Sequence, residues 1–189
     1  RHIRYRDAYD LKKVVTTEFN IEGNPIDKFV SMVADIKPTQ VTLVPDAIDA
    51  ITSNSGWDTN TNKSMLKEVV GEFKSYGIRV SIFLDPDIQF IDSVCDINPD
   101  RIELYTEDYA RQFSKNNFSV INNYCECSRE IGKAGIGINA GHDLNLKNIK
   151  YFKENIENLL EVSIGHALIT ESLYFGLENT IKKYLEFLS

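Results

Sequence analysis

The chain has 189 residues, of which 42% are hydrophobic and 26% charged, enough for one domain around a continuous core. A net charge of −7 and a pI near 5.0, with Lys and Arg scattered among Asp and Glu, disfavour a nucleic-acid partner, whose phosphates demand a clustered basic face. The longest apolar runs are strand-sized, far short of the ~20 residues that cross a bilayer, and no basic-then-apolar leader opens the chain.

In chain order, six short apolar or alternating runs predict strands at residues 15–22, 40–44, 79–85, 101–106, 135–140 and 161–165. Helical periodicity predicts helices at 25–36, 61–76, 87–97, 117–133, 146–155 and 166–188. An amphipathic stretch with Tyr9, Leu11 and Val14 precedes the first strand, as a helix following an earlier strand would. Asn24-Pro25 reads as an N-cap with proline at the first helical position, and Thr61 as the start of a helix with Met65, Leu66, Val69, Val70 and Phe73 on one face. The last helix carries Leu173, Leu177, Ile181, Leu185 and Leu188 at three- and four-residue spacing.

Strict βα alternation predicts a parallel α/β sheet, either doubly wound or a TIM barrel. No Gly-x-Gly-x-x-Gly follows a strand, since Gly135-Ile136-Gly137 stands at a strand's start; periodicity does not choose further. The three cysteines, Cys95, Cys125 and Cys127, are odd in number and complete no zinc pattern, which predicts reduced thiols, a cytoplasmic compartment and no metal.

Parallel barrels carry their chemistry at the carboxyl ends of the strands. Glu22 ends a largely apolar strand and shares a face with Asn20 and Glu18; it is a candidate catalytic carboxylate, or a carboxylate hydrogen-bonded within the barrel mouth. Glu103, between Ile102 and Leu104, has the same character, and two buried carboxylates close together would divide into an acid and a base. His142, in Asn139-Ala140-Gly141-His142-Asp143, is a candidate proton donor or acceptor, or a loop histidine that caps the next helix. Gly165-His166 opens the last helix, where free N–H groups hold phosphate; His166 equally reads as a histidine buried under that helix. The polar run at 52–56 is a substrate-covering loop or an ordinary surface loop, with Trp57 as its anchor. Asp85-Pro86-Asp87 reads as a strand end with a helix cap. No predicted strand carries a lysine within it or at its carboxyl end, which lowers the case for Schiff-base chemistry.

Arg1-His2-Ile3, Asn20-Ile21-Glu22, Leu43-Val44-Pro45 with the loop to Thr52, Glu103, Asn139-Ala140-Gly141-His142 and Ile164-Gly165-His166-Ala167 follow one another over the whole chain. In that order and spacing they resemble the pyridoxine 5′-phosphate synthase family. The resemblance implies a single (β/α)8 TIM barrel of which this chain supplies the last six βα units, the first two being absent. It implies condensation of 1-deoxy-D-xylulose 5-phosphate with 3-amino-2-oxopropyl phosphate to pyridoxine 5′-phosphate, phosphate and water, without an organic cofactor. It implies Glu22 as general base, His142 as general acid and Glu103 as a group that steadies charged intermediates or relays protons. His2 and Thr52 would contact the ketose phosphate; Asp143, Gly165 and His166 would surround the amino-ketone phosphate through backbone N–H groups. A further histidine, an arginine and an Asn-x-Asp-His segment of the family have no counterpart here. A homo-octamer acting on small phosphorylated substrates is implied. The competing readings are another phosphate-binding barrel isomerase or aldolase, and a non-catalytic metabolite-binding barrel.

Overall fold

A computed structural model describes residues 3–47 and 50–189. Its fold is α/β, with six strands hydrogen-bonded in sequence order: β1 (Asn20–Gly23), β2 (Gln40–Leu43), β3 (Arg79–Leu84), β4 (Arg101–Tyr105), β5 (Gly137–Gly141) and β6 (Leu159–Ser163). β1 with β2, β2 with β3, and β5 with β6 pair in parallel. The helices are α1 (Tyr5–Lys12), α2 (Asp27–Ile36), α3 (Lys63–Ser75), α4 (Ile91–Ile97), α5 (Glu107–Phe113), α6 (Ile121–Lys133), α7 (Ile149–Asn155), α8 (His166–Phe175) and α9 (Leu177–Leu188). The chain divides into two compact units, Arg1–Asp85 with Gln89–Glu103, and Pro86–Ile88 with Leu104–Ser189.

In the first unit the strands sort their side chains by period two. The register sets Ile21, Val41 and Val80 in one row and Gly23, Leu43 and Ile82 in another. On this face Val41, Leu43, Val80 and Ile82 are fully buried, as are Val33 of α2 and Leu66 and Phe73 of α3. Burying a Val, Leu or Phe side chain contributes about 1.5–3 kcal/mol, so this layer holds the unit together. In the second unit Tyr109, Tyr124 and Phe152 pack edge to face, with ring centroids 4.9–5.9 Å apart. The Tyr109 hydroxyl donates to the Asn148 carbonyl at 2.7 Å, so the aromatic core carries no stranded polar tip.

Several expectations need correction. The first strand begins at Asn20 rather than residue 15, because ladder pairing to β2 starts there: the Gln40 amide donates to the Phe19 carbonyl, and Asn20 pairs Gln40. Asn24 does not cap α2. Its side-chain amide donates to the Asp46 carbonyl at 3.2 Å, and the helix starts at Asp27. Asp58, not Thr61, organises the approach to α3 by accepting from the Thr61 amide and hydroxyl at 3.0 and 2.7 Å. β6 lies two residues earlier than expected, at Leu159–Ser163. Helix α5 was not anticipated, although Thr106 with Glu107, Asp108 and Arg111 places acids in its first turn and a base in its last.

The final helix is two helices. Gly176 takes φ +78° and ψ 146°, a conformation that costs other residues dearly, and the chain restarts as α9. The leucines read at three- and four-residue spacing lie on the surface: Leu173 is 81% exposed and Leu185 61%, whereas α9 buries Thr180 and Tyr184. Among the described residues no helix is long and apolar enough to cross a membrane.

Candidate active site

The sheet face opposite the apolar rows is polar. In the first unit the register aligns Asn20, Gln40 and Arg79 in one row, and Glu22, Thr42 and Ser81 in the next. Gln40, Thr42 and Ser81 are buried. Burying such groups is costly unless they are hydrogen-bonded, and two of the three, Gln40 and Thr42, bond to row neighbours or diagonal neighbours on the same face. The Thr42 hydroxyl donates to Asn20 Oδ1 at 3.2 Å, which turns the Asn20 amide nitrogen towards Glu22 Oε1 at 3.4 Å. Arg79 Nε donates to Gln40 Oε1 at 2.6 Å, and its guanidinium also pairs with Glu18. The Ser81 hydroxyl is buried with no hydrogen-bond partner, so this row keeps hydrogen-bonding capacity in reserve.

Glu22 and Glu103 do not form two buried carboxylates. Glu103 is 3% exposed within β4, whereas Glu22 is exposed at the end of β1. Burial disfavours a charged carboxylate, and water favours it, so the two environments differ in kind. Thr52 is exposed on the loop after β2, and the ends of that loop are tied down. The Ser53 hydroxyl donates to Asp46 Oδ2 at 2.5 Å. The Gly56 amide donates to Asp85 Oδ2 at 3.1 Å, the Trp57 amide to the Phe83 carbonyl at 2.9 Å, and the Trp57 indole N–H to the Leu43 carbonyl at 3.0 Å. Trp57 is the anchor its position suggested, and Asp85 serves as an acceptor for the loop.

The second unit carries His142, Asp143, Gly165 and His166. His142 and Asp143 follow β5 with φ of +85° and +56°, a region few residues other than glycine occupy. They are held there. The Thr106 hydroxyl donates to the carbonyls of Gly141, at 2.8 Å, and His142, while the Asn145 and Asn148 side-chain amides donate to the Asp143 carbonyl at 3.3 and 3.2 Å. The imidazole stands edge-on to the Tyr105 ring at 5.1 Å, and its Nδ1 lies 3.2 Å from Asp143 Oδ2. His142 does not cap α7; Asn148 takes the N-cap position there.

Gly165 precedes α8, and both it and His166 are exposed, which removes the reading of His166 as a histidine buried under the helix. α8 begins with no side-chain cap and no acidic residue in its first turn, so its leading N–H groups remain available to an anion. On β6, Glu161 accepts from the Asn139 side-chain amide at 2.9 Å, which gives this unit a polar pair of its own. Thr42, Ser81 and Glu161 are not singled out by the sequence; the signal for the first two is the polar alternation of Gln40-x-Thr42 and Arg79-x-Ser81. His2 lies outside the described residues. Among those described, no group of three or more His, Cys, Asp or Glu side chains could hold a metal ion.

The family model described as "Pyridoxal phosphate biosynthesis protein PdxJ" matches residues 1–189. A pyridoxine 5′-phosphate synthase from Christiangramia forsetii is 58% identical over 188 residues, covering 100% of this chain and 79% of the relative. Enzymes of the same name from Cytophaga hutchinsonii and Flavobacterium johnsoniae are 58% and 56% identical, each over 98% of this chain and 78% of theirs. Among solved structures, a monomeric phosphoribosylanthranilate isomerase from Thermotoga maritima has a TM-score of 0.58 at 12% identity, over 99% of this chain and 80% of that one. The YdjI aldolase of Escherichia coli K12 also scores 0.58, at 12% identity over 97% and 68%. These two likenesses concern the fold alone, which is TIM-barrel-like.

Proposed function

From the premise that this chain belongs to the PdxJ family, we propose which of its residues carry out the synthesis of pyridoxine 5′-phosphate. The reaction condenses 1-deoxy-D-xylulose 5-phosphate with 3-amino-2-oxopropyl phosphate and releases phosphate and water. The amine of one substrate forms an imine with a ketone of the other, so no lysine is needed to open the sequence. Enolisation, loss of phosphate and dehydration then each move a proton at carbon or oxygen, which positioned acids and bases accelerate.

Glu22 is the general base. Its exposed carboxylate at the carboxyl end of β1, steered by Asn20 and Thr42, is the single observation that carries this assignment. His142 is the general acid, and buried Glu103 steadies charge in the intermediates. Thr52 and His2 contact the ketose phosphate. The backbone N–H groups at Asp143, Gly165 and His166 receive the amino-ketone phosphate, supported by the uncapped start of α8. Anchoring both substrates by their phosphates lets remote binding energy orient the reacting carbons.

The complete fold in this reading is an eight-stranded barrel, with two βα units supplied by the fifth of the relatives' length that this chain does not match. The exposed apolar side chains of α8, Ile169, Leu173 and Tyr174, support a further packing partner there. A homo-octamer in the cytoplasm completes the family picture.

The test is incubation of the full-length gene product with both phosphates. Pyridoxine 5′-phosphate and inorganic phosphate should appear together; neither appearing would overturn the reading. Glu22→Gln and His142→Asn should each lower turnover about 10²–10⁴-fold while thermal melting stays near wild type. Wild-type rates in either variant would remove that residue from the mechanism.

A further inference from the structure

We infer that the Asp143 side chain is a positioning group for His142: its carboxylate accepts from Nδ1–H, so that the proton the imidazolium gives to the substrate is the one on Nε2 and the neutral ring left behind is the Nδ1–H tautomer. The inference rests on the reading of His142 as the proton donor, and gives the Asp143 side chain a task distinct from the backbone contact proposed above.

The chemistry of the contact decides its direction. A carboxylate has lone pairs and no proton, so a hydrogen bond from imidazole Nδ1 to Asp143 Oδ2, here 3.2 Å, requires the hydrogen on Nδ1. Neutral histidine in water favours the other tautomer, so the preference must come from the protein. Adjacent side chains rarely meet this way in extended or helical backbone, where successive residues diverge. They meet here because both residues have positive φ.

That backbone is not left to chance. Thr106, fully buried, fixes the carbonyls of Gly141 and His142. Asn148, 2% exposed, donates to the Asp143 carbonyl, accepts from the Asn145 amide at 2.8 Å, and has its own carbonyl bonded by Tyr109. Such a backbone persists only where the surroundings over-determine it. Tyr105 closes one side of the ring. The imidazole is therefore held by the aromatic edge and the carboxylate together, with a quarter of its side chain exposed.

The test uses Asp143→Gly and Asp143→Asn, both of which tolerate the left-handed backbone. Imidazole ¹⁵N spectra of the full-length protein at alkaline pH should show the Nδ1–H form of His142 in the wild type and the Nε2–H form in Asp143→Gly. Turnover of Asp143→Gly should fall about tenfold, a part of the 10²–10⁴ that a general acid supplies, with KM for both substrates unchanged. Asp143→Asn, which keeps an acceptor oxygen, should recover part of that loss. A wild-type spectrum with the Nε2–H form overturns the inference, as does a KM change with no change of tautomer, or an Asp143→Gly enzyme with wild-type turnover. His142→Asn separates the two failures. If it is inactive while Asp143→Gly is fully active, only the inference falls; if it is fully active, the general-acid reading falls as well.

Discussion

The loop bearing Thr52 packs against the end of β3 at Gly56, and replacing this glycine by alanine should both destabilise the protein and weaken ketose-phosphate binding. A Cβ at residue 56 would lie 2.5 Å from Leu84 Cα and from the Leu84 carbonyl carbon, and closer still to the Asp85 nitrogen. These are backbone atoms of β3 and its end, so no rotamer change relieves the overlap. Carbon–carbon contact is comfortable near ~3.5–4.0 Å, so the loop must retreat by about 1 Å. Overpacking of this kind costs about 1–3 kcal/mol. Retreat offers no cheap escape, because it stretches the bonds from the Gly56 and Trp57 amides, each contributing about 1 kcal/mol. Against this stands a gain of about 0.4–1 kcal/mol from stiffening the unfolded chain. The net loss is about 1–2 kcal/mol, or a fall of roughly 2–8 °C in Tm for a chain of this size. Gly71 supplies the control: it sits exposed within α3 with nothing inside 4 Å of its would-be Cβ. Gly71→Ala should stabilise by about 0.5–1 kcal/mol through helix propensity. Thermal melts of both variants and KM for the ketose phosphate form the assay. Equal Tm changes in the two, or an unchanged KM in Gly56→Ala, would refute the reasoning.

Two further outcomes concern buried ionisable groups. Burial, aided by the charges of Asp87 and Glu126, pushes the Cys127 thiol up to about 12 from 9.0, and burial raises the Tyr109 and Tyr184 phenols as well. The folded state thus holds these protons more tightly than the unfolded state does. Stability is whole below pH 9 and falls as pH rises towards 12; urea melts across that range should show the decline, and a flat profile would contradict it. Thiol labelling should proceed in the order of exposure, Cys95 first, then half-buried Cys125, with Cys127 reacting only on unfolding; early labelling of Cys127 would mean that α6 opens in the native protein.

The alternation of strands and helices was legible in the sequence because each strand is a short apolar run and most helices show a one-sided stripe. What was not legible depended on partners far along the chain. Strand β1 looked longer than it is, since Val15 and Phe19 have the side chains of a strand but only Asn20 onwards finds β2 beside it. The leucines from Leu173 to Leu185 had the spacing of a buried face; Gly176 breaks the helix between them, and spacing alone says nothing about what lies opposite. Glu22, His142 and the glycine before α8 stood out as polar punctuation at strand ends. Thr42 and Ser81 did not, because their alignment with Glu22 is a property of register between strands and not of either strand's own letters. The meeting of His142 with Asp143 was hidden for a related reason: neighbours in sequence face each other only when the backbone turns left-handed, and buried Thr106, well upstream in the sequence, helps to impose that turn.

The sequence-ordered sheet also bears on how the protein is made. Every strand bonds the one synthesised just before it, with Asn20 meeting Gln40 and Gln40 meeting Arg79. A chain leaving the ribosome at about 5–20 residues per second therefore completes a new pairing every few seconds, always against an edge already built. Within these six strands each newly made strand covers the edge left by the one before it, so that edge stands open to a neighbouring nascent chain only until the next strand arrives.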